Sequence, residues 1–407
     1  MRLPFFFTDK AYSALNNLFF KFFGFGVAFL ASAYSAQKYG PAQFGFVILS
    51  IFAQYILCEL TDLGFSTHLA RRIAQTDSSF RSWLEHIPRI LFRSILAMGI
   101  WIIGVNVFKG QNFSIDLTLV LNIPFWLCNS YFQQVAYAKG ELNLANLQKF
   151  LQNALLIIIF PLSLVTSQFY EKGVVFTSFL SFLYSFAASI SKNQEKEDVI
   201  GRQLPKLNLN ILRNDGIKLA PSRILGIATY LDTLAMGILF GPAIAGFYSL
   251  ASRMRAVLPA GLISISDSTY SRAISTRRLT LIFGSMENRV IAGFTLGFSG
   301  LIYINAAPLI LLIYGQAYEQ STDYFRFFII ISLVIGIVYI LKNLLIAWNE
   351  DGYIRKYVYI STFIQIILSI ILYFTLRNYA IPAALLLSNL FLVFVFGKKV
   401  HSIRVFR

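Results

Sequence analysis

A chain of 407 residues that is 57% hydrophobic and 13% charged, with a mean hydropathy of +0.64, is too apolar for a soluble domain of its size. Its net charge of +16 is dispersed over many short polar stretches, so the basicity reads as membrane topology and not as a nucleic-acid-binding face. The two cysteines, Cys58 and Cys128, fall inside apolar runs, and the three histidines are scattered, so neither a disulfide framework nor a metal centre is expected, nor any cofactor.

A bilayer helix needs about 20 largely apolar residues, and with its connection takes roughly 34 here, which leaves room for about 12 spans. Apolar runs bounded by polar or Gly/Pro breaks place them near 13–37, 44–66, 87–106, 117–138, 149–168, 173–190, 217–240, 244–268, 289–314, 324–347, 353–375 and 379–397. The first run is long, is interrupted by Asn16, Asn17 and Lys21, and continues straight into the next span, so it is expected to be a span and not a cleaved signal. The expected fold class is all-α, a polytopic membrane protein. Residues 1–190 form an N-terminal six-helix lobe, 191–216 a cytoplasmic linker and 217–407 a C-terminal six-helix lobe.

The division into two halves rests on a repeat. Gly40-Pro41-Ala42-Gln43-Phe44-Gly45-Phe46 recurs 201 residues later as Gly241-Pro242-Ala243-Ile244-Ala245-Gly246-Phe247, each time between two apolar runs. Gly relaxes the backbone past a helix end, and Pro cannot continue a helix but starts one well. Charge then orients the spans: 24 Lys and Arg fall on the side holding both termini and 5 on the other. By the positive-inside rule both termini are cytoplasmic and both Gly-Pro turns external, which makes the repeats parallel. No external loop is long enough for a domain, which disfavours a membrane-embedded glycan polymerase or glycosyltransferase.

Six cations remain within or at the edge of spans: Lys21, Arg93, Arg223, Arg253, Arg255 and Lys342. Each costs at least about 2.5 to 3.5 kcal/mol there unless it faces protein or water. Arg93, Arg223 and Lys342 are shallow enough to snorkel, whereas Lys21 and Arg253 lie more than about 10 Å deep and are the stronger candidates for a cationic substrate cavity. Lys21 shares a face with Asn17, Gly24, Ala28, Ala31 and Ser35, which reads either as a packing face or as a wet cavity wall. Arg255 cannot share the face of Arg253. The acids in spans are Glu59, Asp62 and Asp232, candidates for ion pairs or for coupling; Asp232 matches Arg253 in depth, and Glu59 is near Lys21. Gly293 and Gly297 are expected to pack against a neighbouring helix, and Pro124, Pro161, Pro259 and Pro308 to bend their spans. No P-loop, G-x-S-x-G or H-E-x-x-H pattern occurs, so neither an enzyme nor a nucleotide-driven pump is expected.

Five stretches, in order, resemble the Wzx-type polysaccharide (O-antigen) repeat-unit flippases of the MATE-like MOP superfamily. They are Tyr39 to Gly45; Thr61-Asp62-Leu63-Gly64-Phe65 with Leu69-Ala70-Arg71; Tyr230-Leu231-Asp232-Thr233-Leu234; Gly241 to Arg253; and Ile313-Tyr314-Gly315-Gln316-Ala317-Tyr318. The resemblance implies two six-helix bundles opening alternately to either side of a bacterial inner membrane. The implied substrate is an undecaprenyl-diphosphate-linked oligosaccharide, with H+ or Na+ as coupling ion and a glycan polymerase and chain-length regulator as partners besides the lipid bilayer. It also implies that Lys21, Arg253 and Asp232 stand where the family places polar or charged groups. The nearest rival is a MATE-type cation or drug antiporter, whose positive substrates call for an acidic cavity; here six cations stand against three acids.

Overall fold

The computed structural model describes residues 9–62, 65–66, 86–108, 117–138, 142–191, 230–259, 262–263, 265, 286–348 and 350–405. Among them every regular element is helical, and the helices overlap the predicted spans, the one at Leu142–Ala154 starting seven residues before 149. In order they are α1 (Asp9–Asp62), α2 (Ile87–Phe108), α3 (Asn122–Ala138, led in by a 3-10 turn at Leu117–Leu121), α4 (Leu142–Ala154, prolonged through Leu155–Ile158 and Ile159–Leu162) and α5 (Phe169–Ser191). There follow α6 (Tyr230–Phe240), α7 (Pro242–Ser252, continued at Met254–Val257), α8 (Met286–Ile304), α9 (Ala306–Tyr314), α10 (Ser321–Ala347), α11 (Asp351–Leu376) and α12 (Ala380–Val405).

Length alone demands that the longest of these be divided. The 54 residues of α1 would extend about 80 Å as one straight helix, far beyond an apolar core of about 30 Å. The division falls at Gly40, with φ 73° and ψ 168°, and its repeat mate Gly241 adopts φ 91° and ψ 168°. This corner of backbone space is open essentially to glycine alone. Pro41 and Pro242 then restart the helix, so the recurring Gly-Pro pair is one conformation used twice. Gly315 makes a third copy of that backbone state, φ 83° and ψ 174°, between α9 and the 3-10 turn Gln316–Tyr318.

Among the described residues four helical stretches are long and apolar enough to cross a bilayer, and α8 with α9 makes a fifth that is bent by 75°. One of the four, Gly352–Ile403, is 52 residues long and is broken at Arg377, so it crosses more than once. The α8–α9 bend sits at Asn305, three residues before Pro308. The proline ring clashes with the carbonyl of Ile304, where α8 ends, and offers it no N–H. Pro161 likewise follows the 3-10 turn Leu155–Ile158, and Pro259 follows the end of Met254–Val257. The connection between α4 and α5 comes earlier than predicted, at 163–168, where the turn after Pro161 ends the helix.

The chain divides into two compact units. One consists of Phe23–Tyr39 and Gln43–Ile238, the other of Met1–Phe22, Gly40–Ala42 and Leu239–Arg407. In the first, α3, α4 and α5 pack on one another around a core that includes Cys58, Ile90, Trp101, Leu127 and Phe132. In the second, α10, α11 and α12 form the main stack, with α7 against α10 and a core of Ile340, Leu344, Val358, Leu392 and Phe396. Both cysteines are free and buried in the first core. Three glycines permit helices to close up: a Cβ on Gly173 would meet Ile159 Cγ1 at 2.5 Å, one on Gly237 would meet Leu49 Cδ1 at 2.5 Å, and one on Gly336 would run into Leu262 Cδ1. The Gly293–Gly297 pair does not do this. Both are exposed, with nothing within 4 Å of an added Cβ, because α8 turns Thr295 and Ser299 inward instead.

Candidate functional site

The predicted intramembrane charges are distributed over both units. Lys21 lies on α1, with its side chain outside the described residues, and Arg223 lies outside them altogether. The rest of the Lys21 face is described from Gly24 onward and is a packing surface. Ala31 and Ser35 are fully buried, and a Cβ on Gly24 would touch Asn153 of α4 at 3.4 Å.

Asp62 and Arg93 form one construction. Thr61 and Asp62 end α1, where the last carbonyls of a helix have no intrahelical partner. Arg93, from the second turn of α2, donates from one guanidinium nitrogen to the Thr61 carbonyl at 3.0 Å and to the Asp62 carbonyl at 2.6 Å, and covers the Phe65 ring at 4.0 Å. A cation here is favoured by the negative end of the helix dipole. The Asp62 carboxylate, 2% exposed, points onward and accepts from the Ser66 amide at 3.2 Å and the Ser66 hydroxyl at 2.7 Å. Asp62 therefore caps the restarting chain while Arg93 caps the finished helix. Glu59, also buried, sits one turn earlier on α1. At the foot of α2 and outside the span, Arg89 donates to His86 Nδ1 at 3.2 Å. Burial, and then the Arg89 charge, pull the imidazole down to about 4.

A polar seam runs through the first unit. Gln54 of α1 donates to the Leu119 carbonyl and accepts from the Asn122 amide at 2.9 Å, pinning α1 to the start of α3. Deeper along α3, the Asn129 amide donates to the Ser178 carbonyl at 2.9 Å, and Gln148 of α4 donates to the Ser181 hydroxyl at 3.1 Å. Ser178, Ser181, Ser185 and Ser189 recur at steps of three and four on α5, all buried. That spacing was visible in the sequence; its burial was not. In the same unit Asp232, 4% exposed, accepts from the Thr233 amide at 2.7 Å.

The second unit holds the remaining cations. Arg253 marks the turn between Pro242–Ser252 and Met254–Val257 and is half-buried. Arg255 places its guanidinium 5.0 Å from the Phe328 ring of α10, and Lys342 its ammonium 3.9 Å from the Tyr339 ring one turn away. Aromatic faces attract cations electrostatically and help hold both half-buried charges off lipid. Among the described residues no group of three or more His, Cys, Asp or Glu is placed to hold a metal. The structure therefore brings Asp62 and Arg93 together and adds the Gln54–Asn122 contact, which the sequence did not suggest.

No protein-family model matches the chain, and no curated protein matches it by sequence. Solved structures do. An inward-facing multidrug resistance MATE family transporter of the MOP superfamily aligns with a TM-score of 0.67 at 13% identity, over 93% of this chain and 95% of that one. A eukaryotic MATE transporter, AtDTX14, aligns at 0.61 and 11% identity over 96% of each chain. The Vibrio cholerae MATE transporter VcmN aligns at 0.58 and 13% identity over 97% and 99%. Near-complete coverage in both directions, by a chain whose described regular elements are all helical and largely apolar, gives the conclusion: this is a multi-pass membrane protein with the MATE transporter fold.

Proposed function

We propose that the protein carries an undecaprenyl-diphosphate-linked oligosaccharide repeat unit from the cytoplasmic to the outer leaflet of the inner membrane, by alternating access, for O-antigen, capsule or exopolysaccharide assembly. The observation that carries this reading is the sign of the charge placed within the spans of a MATE-fold chain: six cations against three acids. A diphosphate headgroup is doubly charged and must be met by charge-assisted donors once it leaves water. Lys21, Arg253 and Arg255 are the deepest of these groups, Arg255 on another face than Arg253, with Arg223 and Lys342 nearer the edges. Glu59, Asp62 and Asp232, all buried, are the candidate acids for ion pairing or for coupling to H+ or Na+. Both termini and the 191–216 linker then lie in the cytoplasm, and a glycan polymerase and chain-length regulator receive the product.

The multidrug resistance MATE transporters among the structural neighbours favour a second reading, export of lipophilic cations. Deletion of the gene separates the two. The flippase reading expects cytoplasm-facing lipid-linked repeat units to accumulate and surface glycan to disappear, with sensitivity to lipophilic cations unchanged. Raised cation sensitivity with normal glycan replaces it by the antiporter.

A further inference from the structure

Four aromatic side chains from three helices of the first unit make one continuous surface. Phe52 and Tyr55 share a face of α1 at a spacing of three, Trp126 comes from α3 and Tyr230 from α6. The Phe52 and Tyr230 ring centroids are 5.2 Å apart, Tyr230 and Tyr55 5.6 Å, and Tyr55 stacks on Trp126 at 5.7 Å with the planes 28° apart. The scaffold beneath is rigid. Gln54, next to Tyr55, is bonded to Asn122, one turn before Trp126, and Gly237, two turns after Tyr230 on the same face, lets α6 close onto Leu49.

All four rings are half-buried, and they do not lie on a lipid-facing stripe. Such stripes are plain elsewhere: α2 exposes Phe92 at 70% and Ile103 at 66%, and α11 exposes Phe363 and Phe374. By contrast α3 exposes none of its described residues over 122–136, and α1 beyond Gln43 exposes only Leu60 among those described. The exposed residues of α6, Leu231, Ile238 and Leu239, lie on other faces than Tyr230. The four rings are thus partly accessible on helices that are otherwise enclosed. Three of the four carry a polar edge, two phenols and an indole, unlike the all-Phe group of Phe125, Phe179, Phe182 and Phe186 nearby. An apolar ring face with a hydrogen-bonding rim matches a sugar, whose C–H face is apolar and whose hydroxyls lie at its edge.

We propose that Phe52, Tyr55, Trp126 and Tyr230 form a stacking platform for the pyranose rings of the transported glycan, a role that rests on the flippase reading above. Binding to the full-length protein in lipid nanodiscs tests it with two probes: a short-chain isoprenyl diphosphate bearing one N-acetylhexosamine, and the same isoprenyl diphosphate without sugar. Tyr55→Ala and Trp126→Ala are expected to weaken the glycosylated probe by roughly 3- to 10-fold each, the size of an aromatic stacking contact. The bare diphosphate should bind them as it binds wild type. Because an alanine variant can misfold, tryptophan fluorescence of wild type against Trp126→Phe gives a second reading. A change on adding the glycosylated probe that is lost in Trp126→Phe supports the platform. Equal losses for both probes, or no Trp126-dependent signal while both probes bind, overturn the platform and leave the flippase standing. Binding of tetraphenylphosphonium with neither diphosphate bound overturns both.

Discussion

Replacing Gly40 by alanine isolates a purely conformational cost. Nothing lies within 4 Å of a Cβ built on Gly40, so the change creates no clash; the penalty comes from φ 73° and ψ 168°, which an L-residue with a side chain scarcely visits. Holding a non-glycine residue there costs about 1–3 kcal/mol. Gly99 of α2 is the matched control, because its added Cβ also meets nothing within 4 Å while its backbone is helical, and alanine there is worth about 0.5–1 kcal/mol in favour of the helix. The two variants should therefore diverge in thermal unfolding. At roughly 2–4 °C per kcal/mol, Gly40→Ala falls by several degrees below wild type and Gly99→Ala rises slightly. Tryptophan fluorescence of the detergent-solubilised protein during heating reads both. Equal midpoints for the two variants would refute the argument that backbone conformation, and not space, demands glycine at the first Gly-Pro break.

Arg93→Gln removes the charged donor from the Thr61 and Asp62 carbonyls and should cost about 1.5–3 kcal/mol in the same assay, with Arg93→Lys restoring part of the loss. Wild-type stability for Arg93→Gln would mean that the helix end is satisfied otherwise. His86 has a lowered pKa, about 4 against 6.5 for the free side chain, because burial and Arg89 keep it neutral. The unfolded chain binds that proton first, so the contribution is complete above pH about 6.5 and is lost as pH falls towards 4. His86→Gln should flatten this acid limb, and an unchanged limb assigns it to other groups. Neutralising Lys21 or Arg253 with glutamine should abolish surface glycan, read on gels of cell envelope, while immunoblots show the protein inserted at normal levels. Normal glycan in both single variants removes the cationic mechanism.

Span positions were legible in the sequence because a bilayer imposes one rule on every residue: about 20 apolar positions in a row, ended by charge, glycine or proline. That rule located α2, α5, α10 and α11 within a few residues, and the Gly-Pro repeat marked two breaks whose glycines share one backbone state. It carried no information on direction around each helix axis, because the spans are apolar on every side, and periodicity then says little about which side meets protein. The small-residue face below Lys21 proved to be packing from Gly24 onward for that reason, and Gly293 and Gly297 proved to be exposed.

What the chain alone determined, then, is where its apolar helices run and where glycine breaks them, since these depend on local composition and on one solvent. The partners of those groups were decided only by the tertiary structure. Arg93 reaches the carbonyls of residues 31 and 32 positions away, Gln54 holds Asn122 across 68, and Phe52, Tyr55, Trp126 and Tyr230 become one surface although almost half the chain lies between the first and the last. Contacts at such separations are fixed by how helices rotate against one another to fill space, a property of the packed assembly and of no single segment.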